Sequence, residues 1–276
     1  MTFSLAFSPC PNDTFIFDAL VNHKIDTKGF EFEVALEDVQ TLNQQALQGI
    51  HQFSKISYGV LPLITNNYKL LTSGGALGKG VGPLLISKNC TKIHNETLVA
   101  IPGANTTAHL LFSLVYPHHQ KKVFMPFHEI ENWLLQNENS SGVIIHENRF
   151  TYHQKGLQLV TDLGAAWEKQ LHIPIPLGGI VVHQSIDNKI ASQVNMLIKE
   201  SIDYAWQQYP NLSNYVQHHA QEMSVDVMMQ HINLYVNDFS KNLGKEGKAA
   251  VNKLLQVYAS QHNSTADLQS IDLFID

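Results

Sequence analysis

Short apolar strands alternate with helical stretches from the first residues of this chain, and few architectures accommodate that rhythm. Phe3-Ser4-Leu5-Ala6-Phe7 alternates large and small residues until Ser8-Pro9-Cys10-Pro11-Asn12-Asp13 breaks the pattern. Asn12 or Asp13 is suited to cap a helix over 14–20. Phe30, Phe32, Val34 and Leu36 alternate with Glu31, Glu33 and Ala35, which predicts a strand with one wet face. A helix over 38–48, a strand over 55–58 and a helix over 59–66 follow. Five glycines fall between Gly74 and Gly82, too dense for a strand or helix core, so this stretch reads as a loop that bends or lets the backbone approach a ligand. Strands are expected at 83–88, 98–101, 121–125 and 142–146, with helices over 105–115 and 128–136. Leu171 to Gly179 reads as a rigid proline-bearing crossing before a strand at 180–182, and the chain beyond Asp187 is mostly helical, with long patterns over 187–208 and 244–260. The expectation is an α/β fold of two lobes with a ligand cleft between them. Residues 1–90 and 178–276 would form the first lobe and 91–177 an inserted second one. In such folds ligands sit at the carboxyl ends of strands.

Charge and size narrow the function. A chain of 276 residues is long enough to bury a substantial core without disulfides or metal. Twenty-four acidic against eighteen basic residues give a net charge of −6, which speaks against a nucleic-acid partner. No run reaches 18 apolar residues, and the first ten lack a basic start and a cleavage site, so a cytoplasmic protein with no membrane insertion is expected. Cys10 and Cys90 then read as two thiols. The 74–80 stretch misses the phosphate-loop pattern, and His128-Glu129 and His146-Glu147 lack the second histidine of the zinc helix motif, so neither metal nor cofactor is expected.

Two local features point to chemistry. In Ile101-Pro102-Gly103-Ala104-Asn105-Thr106-Thr107-Ala108 a strand meets a tight turn and a helix begins. Free amide groups at that helix start, joined by two threonine hydroxyls, suit a carboxylate or phosphate. Simple capping by Asn105 or Thr106 accounts for the same residues equally well. Ser57, at a strand end, is a second donor. His146 closes the apolar strand Gly142-Val143-Ile144-Ile145, where a side chain reaches a cleft edge and imidazole can carry a proton near neutral pH. Glu147 either orients it or faces solvent.

Together, Ser8-Pro9-Cys10-Pro11-Asn12-Asp13-Thr14-Phe15, Lys55-Ile56-Ser57-Tyr58, Gly80-Val81-Gly82-Pro83-Leu84, the 101–108 turn, Gly142 to Glu147, Pro174 to Gly179 and Tyr235-Val236-Asn237-Asp238-Phe239-Ser240 resemble the 1,4-dihydroxy-6-naphthoate synthase family of the futalosine route to menaquinone. The resemblance runs to about residue 260. It implies a fold similar to type II periplasmic binding proteins and a lyase that converts cyclic dehypoxanthine futalosine to 1,4-dihydroxy-6-naphthoate, with neither metal nor nucleotide. It also implies a substrate carboxylate near Ser57, Asn105, Thr106 and Thr107, with Cys10, Asn12 and Asp13 of the opening motif at the substrate site. The general base falls on His146, with Cys10 its competitor. The alternatives are the chorismate dehydratase of the same route, whose opening motif differs, and a non-catalytic solute-binding protein for small carboxylates. Monomer and homodimer both stay open.

Overall fold

The computed structural model describes residues 1–220, 224–263 and 272–276. Its strands are β1 (Thr2–Phe7), β2 (Glu31–Leu36), β3 (Phe53–Ser57), β4 (Tyr68–Leu71), β5 (Ala76–Gly78), β6 (Leu84–Ser87), β7 (Leu98–Ile101), β8 (Lys122–Phe124), β9 (Ser140–Ile144), β10 (Gln158–Asp162), β11 (Ile175–His183) and β12 (Phe274–Ile275). They form two sheets. The first runs β12-β4-β11-β3-β1-β2, with β5 also on β11; the second runs β10-β6-β9-β7-β8. Both follow one plan. In each, three parallel strands lie side by side, β2-β1-β3 in the first sheet and β8-β7-β9 in the second, and then comes an antiparallel strand, β11 in the first sheet and β6 in the second. No repeat in the residues announces this shared topology.

The helices are α1 (Pro11–Val21), α2 (Val39–Leu47), α3 (Leu61–Ile64), α4 (Thr107–Val115), α5 (Ile130–Gln136), α6 (Asn148–Thr151), α7 (Leu163–Leu171), α8 (Asn188–Gln208), α9 (Asn214–His219), α10 (Val225–Tyr235), α11 (Asp238–Lys241) and α12 (Gly244–Gln261). The helical expectation beyond Asp187 holds for the described residues; at 221–223 and 264–271 it lies outside them. None of the described helices is long and apolar enough to cross a membrane.

Helix α1 begins earlier than its sequence suggested. Pro11 takes the first helical position, where its missing N–H is no loss. The Cys10 carbonyl accepts from the Asp13 and Thr14 amides at 3.1 and 3.0 Å, so neither Asn12 nor Asp13 is the cap. Both side chains are thereby released for other partners.

The lobe boundaries also move. Strand β6 is central in the second sheet, although residues up to 90 were expected in the first lobe, and β11 already belongs to the first sheet at Ile175. The crossings therefore lie just before Leu84 and just before Ile175. The proline-bearing segment is not a bare crossing, because Ile175 and Pro176 pair with Gly78 and Leu77 of β5, with a register irregularity before Gly178. The glycine stretch is likewise not all loop: Ala76–Gly78 is that partner strand. Backbone approach explains part of its glycine content. A Cβ on Gly82 would stand 2.2 Å from Gly164 Cα, so the chain entering the second lobe presses backbone to backbone on the start of α7. Helix α12 packs against α3, β11 and α4, bridging both lobes from behind, and one apolar core runs from Ile56 and Leu77 through Leu111 and Trp167 to Leu254.

Gly82→Ala forces that backbone contact apart. Overpacking of this kind costs roughly 1–3 kcal/mol, so the variant is expected to unfold at lower denaturant than the parent. An unchanged midpoint in urea would mean the contact relaxes freely.

Candidate active site

The cleft lies where the carboxyl ends of β3 and β9 approach the start of α4. Its walls include Ser8, Asn12, Asp13, Lys55, Ser57, Thr106, Thr107, Ala108, His146 and Tyr235, with Val39, Leu42, Val81 and Leu177 supplying apolar surface.

One wall is a closed hydrogen-bond node. The Thr107 hydroxyl donates to the Leu177 carbonyl at 2.8 Å and accepts from the Gly59 amide at 3.0 Å. Its proton is therefore spent, so the 2.9 Å contact with Ser57 Oγ is donated by the serine. Ser57 Oγ in turn accepts from the Thr107 amide at 2.6 Å. Asn43, fully buried, accepts from the Ser57 amide at 2.9 Å and donates to the Asn105 carbonyl at 3.0 Å. Gly59 makes the approach possible, since a Cβ there would lie 2.3 Å from the Thr106 carbonyl carbon. Thr106 is the cap of α4: its hydroxyl accepts from the His109 amide at 3.2 Å and donates to the Gly103 carbonyl at 2.9 Å. The second helical residue, Ala108, has no carbonyl behind it within the helix, so its amide is the donor the helix start offers to the cleft.

The opposite corner carries a buried ion pair. Lys55 Nζ stands 2.9 Å from Asp13 Oδ1 and donates to the Gly74 carbonyl at 2.8 Å. Asp13 Oδ2 accepts from the Ser8 hydroxyl at 2.7 Å and from the Ser8 amide at 3.3 Å. Asn12 Nδ2 donates to Asp13 Oδ1 at 2.8 Å, which leaves buried Asn12 Oδ1 with no partner.

His146 follows β9 in the left-handed backbone region at φ 56°, uncommon for a side chain other than glycine. Its half-buried ring lies between Phe127, at 5.0 Å between centroids, and His231, at 6.0 Å and nearly parallel. Burial pushes its pKa down to about 4, with Asp13 pulling it up and Lys55 pushing it further down, so the imidazole is neutral at neutral pH. Cys10 is 2% exposed and is not part of the cleft wall. Burial first, then nearby Glu147, raises its thiol pKa well above the ordinary value, so it stays protonated. Burial likewise raises the Tyr235 phenol.

A family described as menaquinone biosynthesis matches residues 3–260. The chain belongs to the menaquinone-biosynthesis family. It is 41% identical over 250 residues to the 1,4-dihydroxy-6-naphthoate synthase of Thermus thermophilus, covering 91% of each chain. A crystal structure of a protein from Archaeoglobus fulgidus matches with a TM-score of 0.88 at 29% identity, covering 95% of this chain and 98% of that one. A Candida albicans protein with the generic periplasmic binding protein fold matches at 0.65 with 10% identity, covering 96% and 95%, which speaks for the fold alone. The two-lobed α/β fold is of the type II periplasmic-binding-protein kind.

Within this family member, Ser57, Thr106, Thr107, Asn12, Asp13 and His146 converge on one cleft. Asn105 does not join the wall; its carbonyl is used by Asn43. Cys10 lies behind it and lends α1 its carbonyl. Sequence reasoning missed Lys55, Asn43 and Tyr235. A lone lysine inside the buried strand Phe53–Ser57 was the available signal for Lys55; Asn43 and Tyr235 sit on helices with nothing local to single them out.

Removing one partner from a buried pair leaves a bare charge, at a cost of about 3–5 kcal/mol. Lys55→Met is expected to lose about that much stability in urea titration, and the Lys55→Met, Asp13→Leu double variant to recover most of it. A single variant as stable as the parent would show that Asp13 is solvated there.

Proposed function

We propose that the chain is a carbon–carbon lyase that converts cyclic dehypoxanthine futalosine to 1,4-dihydroxy-6-naphthoate and releases the sugar-derived fragment. The observation that carries the reading is one cleft holding both a helix start with an available amide and a neutral imidazole. The family and the synthase relative point the same way.

In this reading the substrate carboxylate lies at the start of α4. The Ala108 amide points along the helix dipole, and the Thr106 and Thr107 hydroxyls rotate from the Gly103 and Leu177 carbonyls toward the anion. Ser57 follows, because its proton is presented to Thr107. His146 accepts the proton whose loss lets the bond to the sugar-derived fragment break. Aromatisation of the second ring supplies driving force. The protein's contribution is position and a dry environment, with Val39, Leu42, Val81 and Leu177 excluding water. Asn12 Oδ1, locked in orientation by the hydrogen bond that Asn12 Nδ2 donates to Asp13 Oδ1, accepts from a hydroxyl of the sugar-derived part. Cys10 takes no part, as a buried protonated thiol outside the cleft wall.

His146→Asn is expected to lower turnover by about 10²–10⁴-fold with substrate affinity retained. Pre-steady-state release of the naphthoate, beside calorimetric binding, separates the two; near-normal chemistry in this variant would remove His146 from the mechanism.

Thr107→Val removes a charge-assisted hydrogen bond worth ~1.5–3 kcal/mol, or ~10–160-fold in affinity. It also breaks the links to Leu177 and Gly59, so stability is expected to fall with it. Thr107→Ser keeps the hydroxyl and is expected to restore binding. Equal affinity of parent and valine variant would exclude Thr107 from the carboxylate site.

A further inference from the structure

Behind the cleft wall, ligating atoms from distant parts of the chain meet. Cys10 Sγ, a His146 ring nitrogen and a Glu147 carboxylate oxygen all lie within 4.8 Å of one another. Cys10 precedes α1, whereas His146 and Glu147 follow β9. A fourth side chain faces them from α10. His231 is 0% exposed, its Nε2 stands 3.9 Å from Glu147 Oε2, and its ring lies at 19° to that of His146. Neither nitrogen of His231 has a hydrogen-bond partner. Burying an imidazole with both nitrogens idle is unfavourable, because each loses its hydration without replacement. Such a group asks for a ligand.

We propose that Cys10, His146, Glu147 and His231 form a site for one divalent transition-metal ion, Zn²⁺ foremost, and that its occupancy withdraws His146 from the cleft. The second half rests on the reading of His146 as base; the first half does not. One sulfur, two imidazoles and one carboxylate are a donor set that four-coordinate zinc accepts. Thiolate and carboxylate together offset the two positive charges, so the loaded site is neutral in its buried setting. Metal–ligand bonds of about 2.0–2.3 Å place ligand atoms roughly 3.3–3.8 Å apart. The 3.9 Å Glu147–His231 gap is already close to that, the Cys10, His146 and Glu147 atoms must draw together by up to about 1 Å, and His231 must swing further to reach the other two. On loading, the Cys10 S–H bond breaks, a sulfur–metal bond forms and the proton leaves to solvent.

Cobalt(II), a spectroscopic stand-in for zinc, tests the site on the full chain without reference to turnover. The expected result is the intense visible absorption of tetrahedral cobalt at one equivalent, with a near-ultraviolet thiolate-to-cobalt band. That band should vanish in Cys10→Ser and persist in Cys90→Ser, which separates the two thiols. His231→Phe should weaken cobalt binding by at least about 10-fold and abolish the thermal stabilisation that zinc gives the parent. Circular dichroism of each variant confirms its fold, and the parent spectrum decides even where a variant fails to fold. The pale spectrum of six-coordinate cobalt in the parent, or a thiolate band surviving Cys10→Ser, would overturn the site. Zinc is further expected to suppress naphthoate release, reversibly with a chelator. Tetrahedral cobalt in a fully active protein would leave the site standing and overturn the withdrawal of His146.

Discussion

The Thr107 hydroxyl sits where a strand end of the first sheet, the crossing strand β11 and the first helix of the second lobe come together. It bonds to Gly59, Leu177 and Ser57 at once, so one side chain ties β3, β11 and α4 to a common point. Asn43 reinforces the joint from beneath, reaching both Ser57 and Asn105. Each side-chain oxygen and nitrogen in this knot has at least one partner, and buried polar networks rigidify only when satisfied. The cleft exists because this knot fixes the angle at which the start of α4 faces β3. Gly59 is the steric condition for it, since any side chain there would occupy the space of the Thr106 carbonyl.

Elsewhere around the cleft, polar groups are not complete. Asn12 Oδ1 and both nitrogens of His231 lack partners, and His146 sits in a backbone conformation that side chains seldom adopt. Departures of this sort oppose folding and persist where the surroundings over-determine them, which is characteristic of binding and catalytic regions. The Lys55–Asp13 pair belongs to the same corner. Buried ion pairs contribute little net stability, but this one orients Asn12 through Asp13 and so determines which atom of that amide remains available. The rigid knot and the incomplete corner share one cavity, one holding the lobes and the other holding unused bonding capacity.

A scaffold shared with solute-binding proteins suits this division. Each of the two sheets has three parallel strands flanked by an antiparallel one, and the chain passes between them twice. Specificity and chemistry then depend on a handful of side chains at strand ends and helix starts, while the sheets carry the core. His146 and Thr107 occupy such positions after two strands of the second sheet, β9 and β7, and Ser57 occupies one at the end of β3 in the first.

What the residues alone determined was local. Alternation of strand and helix patterns gave the α/β class, the break after Ile101 marked the α4 start, and the apolar run to Ile145 delivered His146 to an edge; the opening octapeptide pointed to the family. These follow from backbone periodicity and from the free amides of a helix start, which depend on neighbours a few positions away. Tertiary structure decided everything that depends on distant partners. It placed β6 in the second sheet and extended β11 back to Ile175, because pairing, not pattern, assigns a strand to a sheet. It moved Asn12 and Asp13 off the helix cap once Pro11 took the first turn. It brought Lys55 to Asp13, Asn43 to Asn105 and His231 to Glu147, contacts spanning 42, 62 and 84 residues that no local rule encodes. It also put Cys10 behind the wall and Ser57 before it. Which side of a strand end meets the cleft depends on how two sheets pack, and that packing is a property of the whole chain.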